Sequence, residues 1–482
     1  MVTPKSIEPK RPAKVYDTLP KLVRRNYDQW AIETALCKKK YGIWEKYSWR
    51  KYYEIVRQLS LGLISLGLQR SDIVCLLGDN EPEWLWCEFA VQAAGGIAAG
   101  VPAQSTAEQA QYILKQSGAK FAFVTAKLYA DKFLNNRDLP ALRKIIYLNP
   151  KGLKGNEDPR LLGFHDLLQL GEAYGKANPG VFEQNIDTGR GDDTAFIFYT
   201  ISGKGLPKGA VMTHKALISS TEGLRLRFPV QPEDHLMAAL PAASGENSYF
   251  AALLHLLSGA SLNYPETPET TVADTRETGP DFAAYNAGQW ENLASAVKTQ
   301  IKGSNPVTRF FYQALFPAGN NTSGLKLKSR KPNLFRRLWN LPADRLLFAP
   351  LKDKTGLSHT RFAVNYSGTP LSKETIRLMY TLGVEIRQTY SLAETGLIAG
   401  QSPAENDFDT TGRPTLDTEI RIMADGEMLV RSSGMFSGYY NDPSATAAVL
   451  QDGWFRSGIP ARIDEKGQLK LVDPAAAKKE GT

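Results

Sequence analysis

Residues 198–214 read FYTISGKGLPKGAVMTH. They continue the apolar run DTAFIFYT (193–200), carry Gly203, Gly205 and Gly209, and hold two lysines, Lys204 and Lys208. A short apolar run ending in glycine punctuation has the pattern of a buried strand. The glycines let backbone N–H groups approach an anion and the lysines add positive charge, so the stretch reads as a strand running into a phosphate-cradling loop. The helical pattern HKALISSTEGLRLR (214–227) follows. Ile201 is the anomaly, because a β-branched residue resists the special backbone angles such loops use. Glycine spacing alone is a weak signal, and taken in isolation a glycine-rich surface loop with no ligand is the better reading.

Outward from this stretch, the rhythm decides the fold class. Upstream, residues 48–67 put Tyr52, Ile55, Val56, Leu59, Leu63 and Leu66 on one helical face. DIVCLLGD (72–79) reads as a buried strand, and PEWLWCEFAVQAAGG (82–96) as a helix opening on proline and closing on glycine. IAAGVPA is strand-like, STAEQAQYILKQSG (105–118) is a capped helix and KFAFVTA is another strand. Alternating strands and helices imply parallel βαβ units in a layered α/β fold. Downstream, HTRFAVNYSG and GVEIRQTYS read as strand-to-loop units. From about residue 410 short alternating runs flank Asp425-Gly426, a hairpin signal that RIDEKGQLKLVD repeats. The expected organisation is a layered α/β body over 1–400 with two βαβ subdomains, a small antiparallel β subdomain over 401–473, and a disordered tail over 474–482.

Composition excludes several classes. The chain has 482 residues, 42% hydrophobic and 22% charged, with a formal charge of +8, which suits anionic ligands without demanding nucleic acid. Three irregularly spaced cysteines and five scattered histidines suggest neither a disulfide framework nor a zinc site. The polar N-terminus lacks a signal-peptide core, so a cytoplasmic protein is expected. Residues 325–339, LKLKSRKPNLFRRLW, hold six basic residues and no acidic one. They read as a solvated helix packing its aromatic face on the body, or alternatively as peripheral contact with the inner face of a membrane.

Several stretches in order, GDNEPEWLWCEFAVQAAGG, FYTISGKGLPKG, NYSGTPLS, QTYSLAETG, DGEMLVRSSGMFSGYYNDPSAT and DGWFRSGIPARIDEKGQLKLVD, resemble the adenylate-forming superfamily. More narrowly they resemble bacterial long-chain acyl-CoA synthetases, and the likeness covers nearly the whole chain. It implies the large N-terminal domain of that fold. It also implies ATP, Mg²⁺ and coenzyme A as cofactors, and a long-chain fatty acid activated through acyl-AMP to acyl-CoA. By this resemblance Thr200, Ser202, Gly203, Gly205 and Lys208 hold phosphates. Tyr390 stacks on adenine, Thr395 contacts the α-phosphate, and Glu394 carries Mg²⁺ as a hard oxygen ligand. Ser367, Gly368, Thr369 and Pro370 resemble the loop lining the adenine pocket.

The departures are as informative. The family's phosphate loop has Ser-Gly-Thr-Thr where this chain has Ile201-Ser202-Gly203-Lys204, which removes two hydroxyls. In Trp454-Phe455-Arg456-Ser457-Gly458-Ile459, isoleucine replaces the aspartate that accepts from both ribose hydroxyls. Leaving each hydroxyl unpaired in a buried site costs about 1–3 kcal/mol. Small residues follow Leu240-Pro241, where the family places an aromatic or histidine gate. The family also continues past LKLVD into a lid of about a hundred residues, whereas here PAAAKKEGT follows. Two readings follow: a ligase of reduced activity, or a catalytically impaired pseudoenzyme keeping an acyl or nucleotide pocket as a binding or partner subunit. A lid supplied by another chain is a variant of the second. A ligase fragment would explain the short C-terminus but neither isoleucine.

Overall fold

The structure is a computed structural model, and it describes residues 16–136, 138–200, 206–304, 306, 309–310, 348–402, 405 and 407–472. Loop residues Ile201, Ser202, Gly203, Lys204 and Gly205, the basic stretch 325–339 and the tail 474–482 lie outside the described residues.

Strands Ile73–Leu77 and Ile97–Val101 are buried at every position. This is why their sequence shows a continuous apolar run rather than alternation: helices cover both faces of a parallel sheet. They sit inside a seven-stranded sheet with Phe121–Val124, Lys144–Tyr147, Leu161–Gly163 and Thr194–Thr200, all parallel. Val74 and Leu76 join the core that holds helices Trp49–Ser65 and Pro82–Ala93. Ile73, Cys75 and Leu77 face helices Ala107–Ser117 and Lys127–Leu134.

A second, nine-stranded sheet runs through Ile386–Leu392, Phe362–Asn365, Phe282–Tyr285, His235–Met237, Ser261–Tyr264 and Thr34–Lys40 in parallel order, with antiparallel strands at both edges. The edge strands Gly396–Gly400 and Arg413–Pro414 belong to this sheet. A third sheet is antiparallel and five-stranded, from Thr418–Ile422 to Leu469–Leu471, and its first hairpin turns at Gly426 with φ 84°. Met428, Val430, Ala461 and Leu469 of this small sheet share one apolar cluster with Tyr390 and Ile398 of the large one. No helix of the described residues is long and apolar enough to cross a membrane.

The structure corrects the reading of residues 208–214 as loop leading directly to helix. Lys208–Thr213 is a strand, antiparallel to Thr194–Thr200 with Thr200 opposite Lys208. Ala210 and Met212 are buried on one face, so these residues gain more as a strand than as a loop. The helix His214–Arg227 starts only afterwards, capped by Thr213 Oγ1 accepting from Ala216 N at 3.1 Å. Its N-terminus therefore does not open the glycine loop.

Helices Trp49–Ser65 and Phe164–Ala177 cross at two glycines. A Cβ on Gly171 would sit 1.7 Å from Gln58 O, and one on Gly62 would sit 2.5 Å from Leu167 O. Gly171→Ala should force the helices apart and cost about 1–3 kcal/mol, read as a lower urea midpoint with unchanged helix content.

The helix Pro82–Ala93 also buries Glu88, which accepts from Gln92 Nε2 at 3.4 Å. Burial pushes the Glu88 carboxyl up from 4.5 to about 8. Between those values the unfolded chain has lost this proton while the folded chain keeps it, so the group removes stability as pH rises through the window. Glu88→Gln should therefore be more stable than the parent at about pH 8, with the difference shrinking toward about pH 5, as measured by urea denaturation at both.

Candidate functional site

In open α/β sheets ligands bind beyond the carboxyl ends of the strands. Here the strand ends of both large sheets face one cavity of 790 Å³. The chain leaving Ile73–Leu77 supplies Gly78 to Glu81, and that leaving Ile97–Val101 supplies Pro102 to Gln104. Thr200 ends its strand at the rim, and residues 238–246 follow His235–Met237 along one wall. Ser391, Leu392, Ala393 and Glu394 close the corner beside Thr200. The small residues Ala242, Ala243, Ser244 and Gly245 line the same space.

Glu394 is held from two directions. Its Oε1 accepts from the Tyr439 hydroxyl at 3.0 Å, and its backbone oxygen accepts from Phe436 N at 2.7 Å. Burial and the adjoining Glu394 charge push the Tyr439 phenol well up, so it stays a donor. The Lys208 ammonium lies 5.2 Å from the Tyr439 ring centroid, a cation–π contact. The segment carrying Tyr439 also pairs with the free edge of Lys208–Thr213. Val211 N donates to Gly438 O at 3.0 Å, Ser437 N to Val211 O at 2.8 Å, and Tyr440 N to Gly209 O at 2.8 Å. Glu394 and Tyr439 also border a second, more open cavity of 460 Å³, with Glu427, Phe455, Arg456, Ser457 and Gly458.

Thr200, Lys208 and Glu394 thus gather at one corner, while the other described site residues stand elsewhere. Thr395 is 1% exposed and its hydroxyl donates to Gly396 O at 3.3 Å. Ser367 Oγ donates to Asn365 Oδ1 at 2.9 Å and accepts from Ala287 N at 3.2 Å. Thr369 and Pro370 are exposed, and Thr369 O accepts from Asn365 Nδ2 at 2.8 Å. Gly368 has φ 66°, a conformation that favours glycine.

The Tyr390 ring lies directly on Gly368. A Cβ there would be 2.5 Å from Tyr390 Cδ2 and 2.8 Å from Leu471 Cδ1. A flat base held between two walls needs about 7 Å from wall to wall, twice a van der Waals contact. No such gap separates Gly368 from Tyr390, which is 6% exposed and bridged through its backbone to Ser367. Ile459 and Leu471 pack in the same apolar cluster as Tyr390. The residues present do not fit a purine between Tyr390 and Gly368. Glu394 does fit a hard divalent cation, since it borders both cavities and such ions take one or two carboxylates plus phosphate or water oxygens.

Sequence reasoning assigned no role to Tyr439 or to Glu246, which also lines the main cavity. A tyrosine in a loop carries no spacing signal. Glu246 stands near the gate position, and a carboxylate there was a visible clue.

The family model of the AMP-binding enzymes matches residues 23–440. The chain is 27% identical over 451 residues to long-chain-fatty-acid–CoA ligase FadD15 of Mycobacterium bovis, spanning 89% of this chain and 70% of that protein. It is 25% identical to human long-chain-fatty-acid–CoA ligase ACSBG2, covering 94% and 69%, and to the Xenopus laevis ACSBG2, covering 94% and 62%. The N-terminal domain of FACL13 from Mycobacterium tuberculosis superposes with a TM-score of 0.67 at 19% identity, covering 95% of this chain and all of that domain. The anthranilate CoA ligase AuaEII, solved with anthranoyl-AMP, gives 0.72 at 17% identity, covering 94% and 76%. The chain belongs to the AMP-binding enzyme family. Its fold is that of the N-terminal domain of an acyl-CoA synthetase.

Tyr439→Phe keeps the ring beneath Lys208 and drops only the bond to Glu394. It should cost about 1 kcal/mol by chemical denaturation, and Tyr439→Leu distinctly more, because the ring contacts with Lys208 and Phe436 go as well.

Proposed function

We propose that this chain is a catalytically impaired member of its family that keeps the ligand cavity for an acyl compound and serves as a binding or partner subunit. The family reaction, ATP-dependent activation of a long-chain fatty acid through acyl-AMP to acyl-CoA, is weak or absent in it. The observation that carries this reading is the contact of Tyr390 with Gly368 beneath Leu471, which leaves no base-width gap beside an open cavity of 790 Å³. Three further features point the same way. Ile459 cannot accept from ribose hydroxyls, the Thr395 hydroxyl is turned to Gly396 O, and the Lys208 ammonium rests on an aromatic ring. Electrostatic clamps supply most of the catalysis in phosphoryl-type chemistry, so their losses compound.

One observation favours the ligase reading: Thr200, Lys208 and Glu394 still share a corner. There Glu394 would hold Mg²⁺, which supplies charge neutralisation of phosphate oxygens when bound. Lys208 would have to leave the Tyr439 ring to meet them.

Thermal-shift and calorimetric titrations separate the two. ATP·Mg²⁺ should leave the melting temperature unchanged, whereas a long-chain acyl-CoA should raise it, since a ligand selective for the folded state stabilises it. Pyrophosphate exchange that depends on a long-chain acid would overturn the proposal.

A further inference from the structure

The main cavity is lined by more acidic than basic side chains among the described residues. Its described charged lining consists of Asp79, Glu81, Glu246, Glu266, Glu394 and one cation, Lys38. Lys38 is committed, with Nζ 2.8 Å from Glu81 and 3.1 Å from Pro265 O. Asp79 accepts from the Tyr129 hydroxyl at 2.8 Å, Glu266 from Gly42 N at 3.0 Å, and Glu394 from Tyr439. Glu246 alone among the five carboxylates has no hydrogen-bond or ion-pair partner among the described residues, although it is half-buried.

Glu246 opens the helical run that begins at Gly245 behind the Ser244 cap. The bland explanation is a carboxylate made comfortable by a helix start. Its surroundings go further than that. Tyr249 and Tyr366 line the same cavity as Glu246, and Tyr249 follows it by three positions along one helical run, where such residues are neighbours. Both phenols are pushed up, first by burial and next by the Glu246 charge. Tyr366 is fixed by stacking on Phe250 at 5.7 Å. Tyr249 is 1% exposed, and its buried hydroxyl has no hydrogen-bond partner among the described residues. A free carboxylate beside two aromatic rings in a cavity is a recognition set for an ammonium group. A bare helix start would attract an anion, and Glu246 cancels that attraction.

Resting on the reading of this cavity as the ligand site, we propose that it selects an acyl compound bearing a cationic amine along its chain, with Glu246 as the residue that recognises it. A plain fatty acid has nothing to offer Glu246 and is disfavoured by the surrounding carboxylates.

Isothermal titration of the full chain with octanoic acid, 8-aminooctanoic acid and octylamine tests this. At least one amine-bearing compound should bind about tenfold tighter than octanoic acid, as one partly desolvated ammonium contact provides. Glu246→Gln should abolish that preference and Glu246→Lys should reverse it, with the melting temperature and circular dichroism of each variant confirming the fold. Octanoic acid binding as tightly as the amines, or an amine preference that survives Glu246→Gln, would overturn the inference and leave the cavity reading intact. Binding of none of the three, together with no response to acyl-CoA, would overturn both.

Discussion

The arrangement rests on the strand Lys208–Thr213 being paired along both edges. One edge is hydrogen-bonded to Thr194–Thr200 and the other to residues 437–440. The first edge ties the strand into the seven-stranded sheet. The second ties it to the connection leading into the small sheet, which also holds the Glu394 backbone through Phe436. A backbone group buried without a partner is costly, so each of these pairings constrains the next. Lys208, Tyr439 and Glu394 meet because of this strand, although 231 positions separate the first two.

The same architecture packs Tyr390 against Gly368 without collapse of the neighbouring cavity. Tyr390 sits where the nine-stranded sheet meets the small one, and its ring completes an apolar cluster with Met428, Val430 and Ala461, joined by Ile459 and Leu471. With isoleucine instead of aspartate at 459, no buried carboxylate holds the cluster open, and burial of apolar surface favours closure. The main cavity is bounded by strand ends and backbone turns rather than by that cluster, so it stays open at 790 Å³.

Much of the body was legible along the chain. The strands Ile73–Leu77 and Ile97–Val101 and the helices between them follow from uninterrupted apolar runs, caps and glycines, each a local signal. The hairpin at Asp425-Gly426 followed from turn chemistry. The strand Lys208–Thr213 was missed because GAVMT is too short to declare itself, and its edge partners lie far away in the chain. Family motifs pointed to Tyr390, Glu394 and Thr395 as neighbours in sequence, yet the strand end turns Glu394 to the cavity and buries Thr395 beneath it.

The sequence by itself determined the layered α/β class, the family and the isoleucines at 201 and 459, because residue identity and period-2 or period-3.6 patterns are local properties. Only the tertiary structure decided that Tyr390 lies on Gly368, that Tyr439 joins Lys208 to Glu394, and that Glu246, without a partner among the described residues, lines one cavity with Tyr249 and Tyr366. Those facts depend on which distant strands end at the same place. Contact between residues far apart in the chain is set by sheet order and backbone hydrogen bonding, which no local pattern encodes.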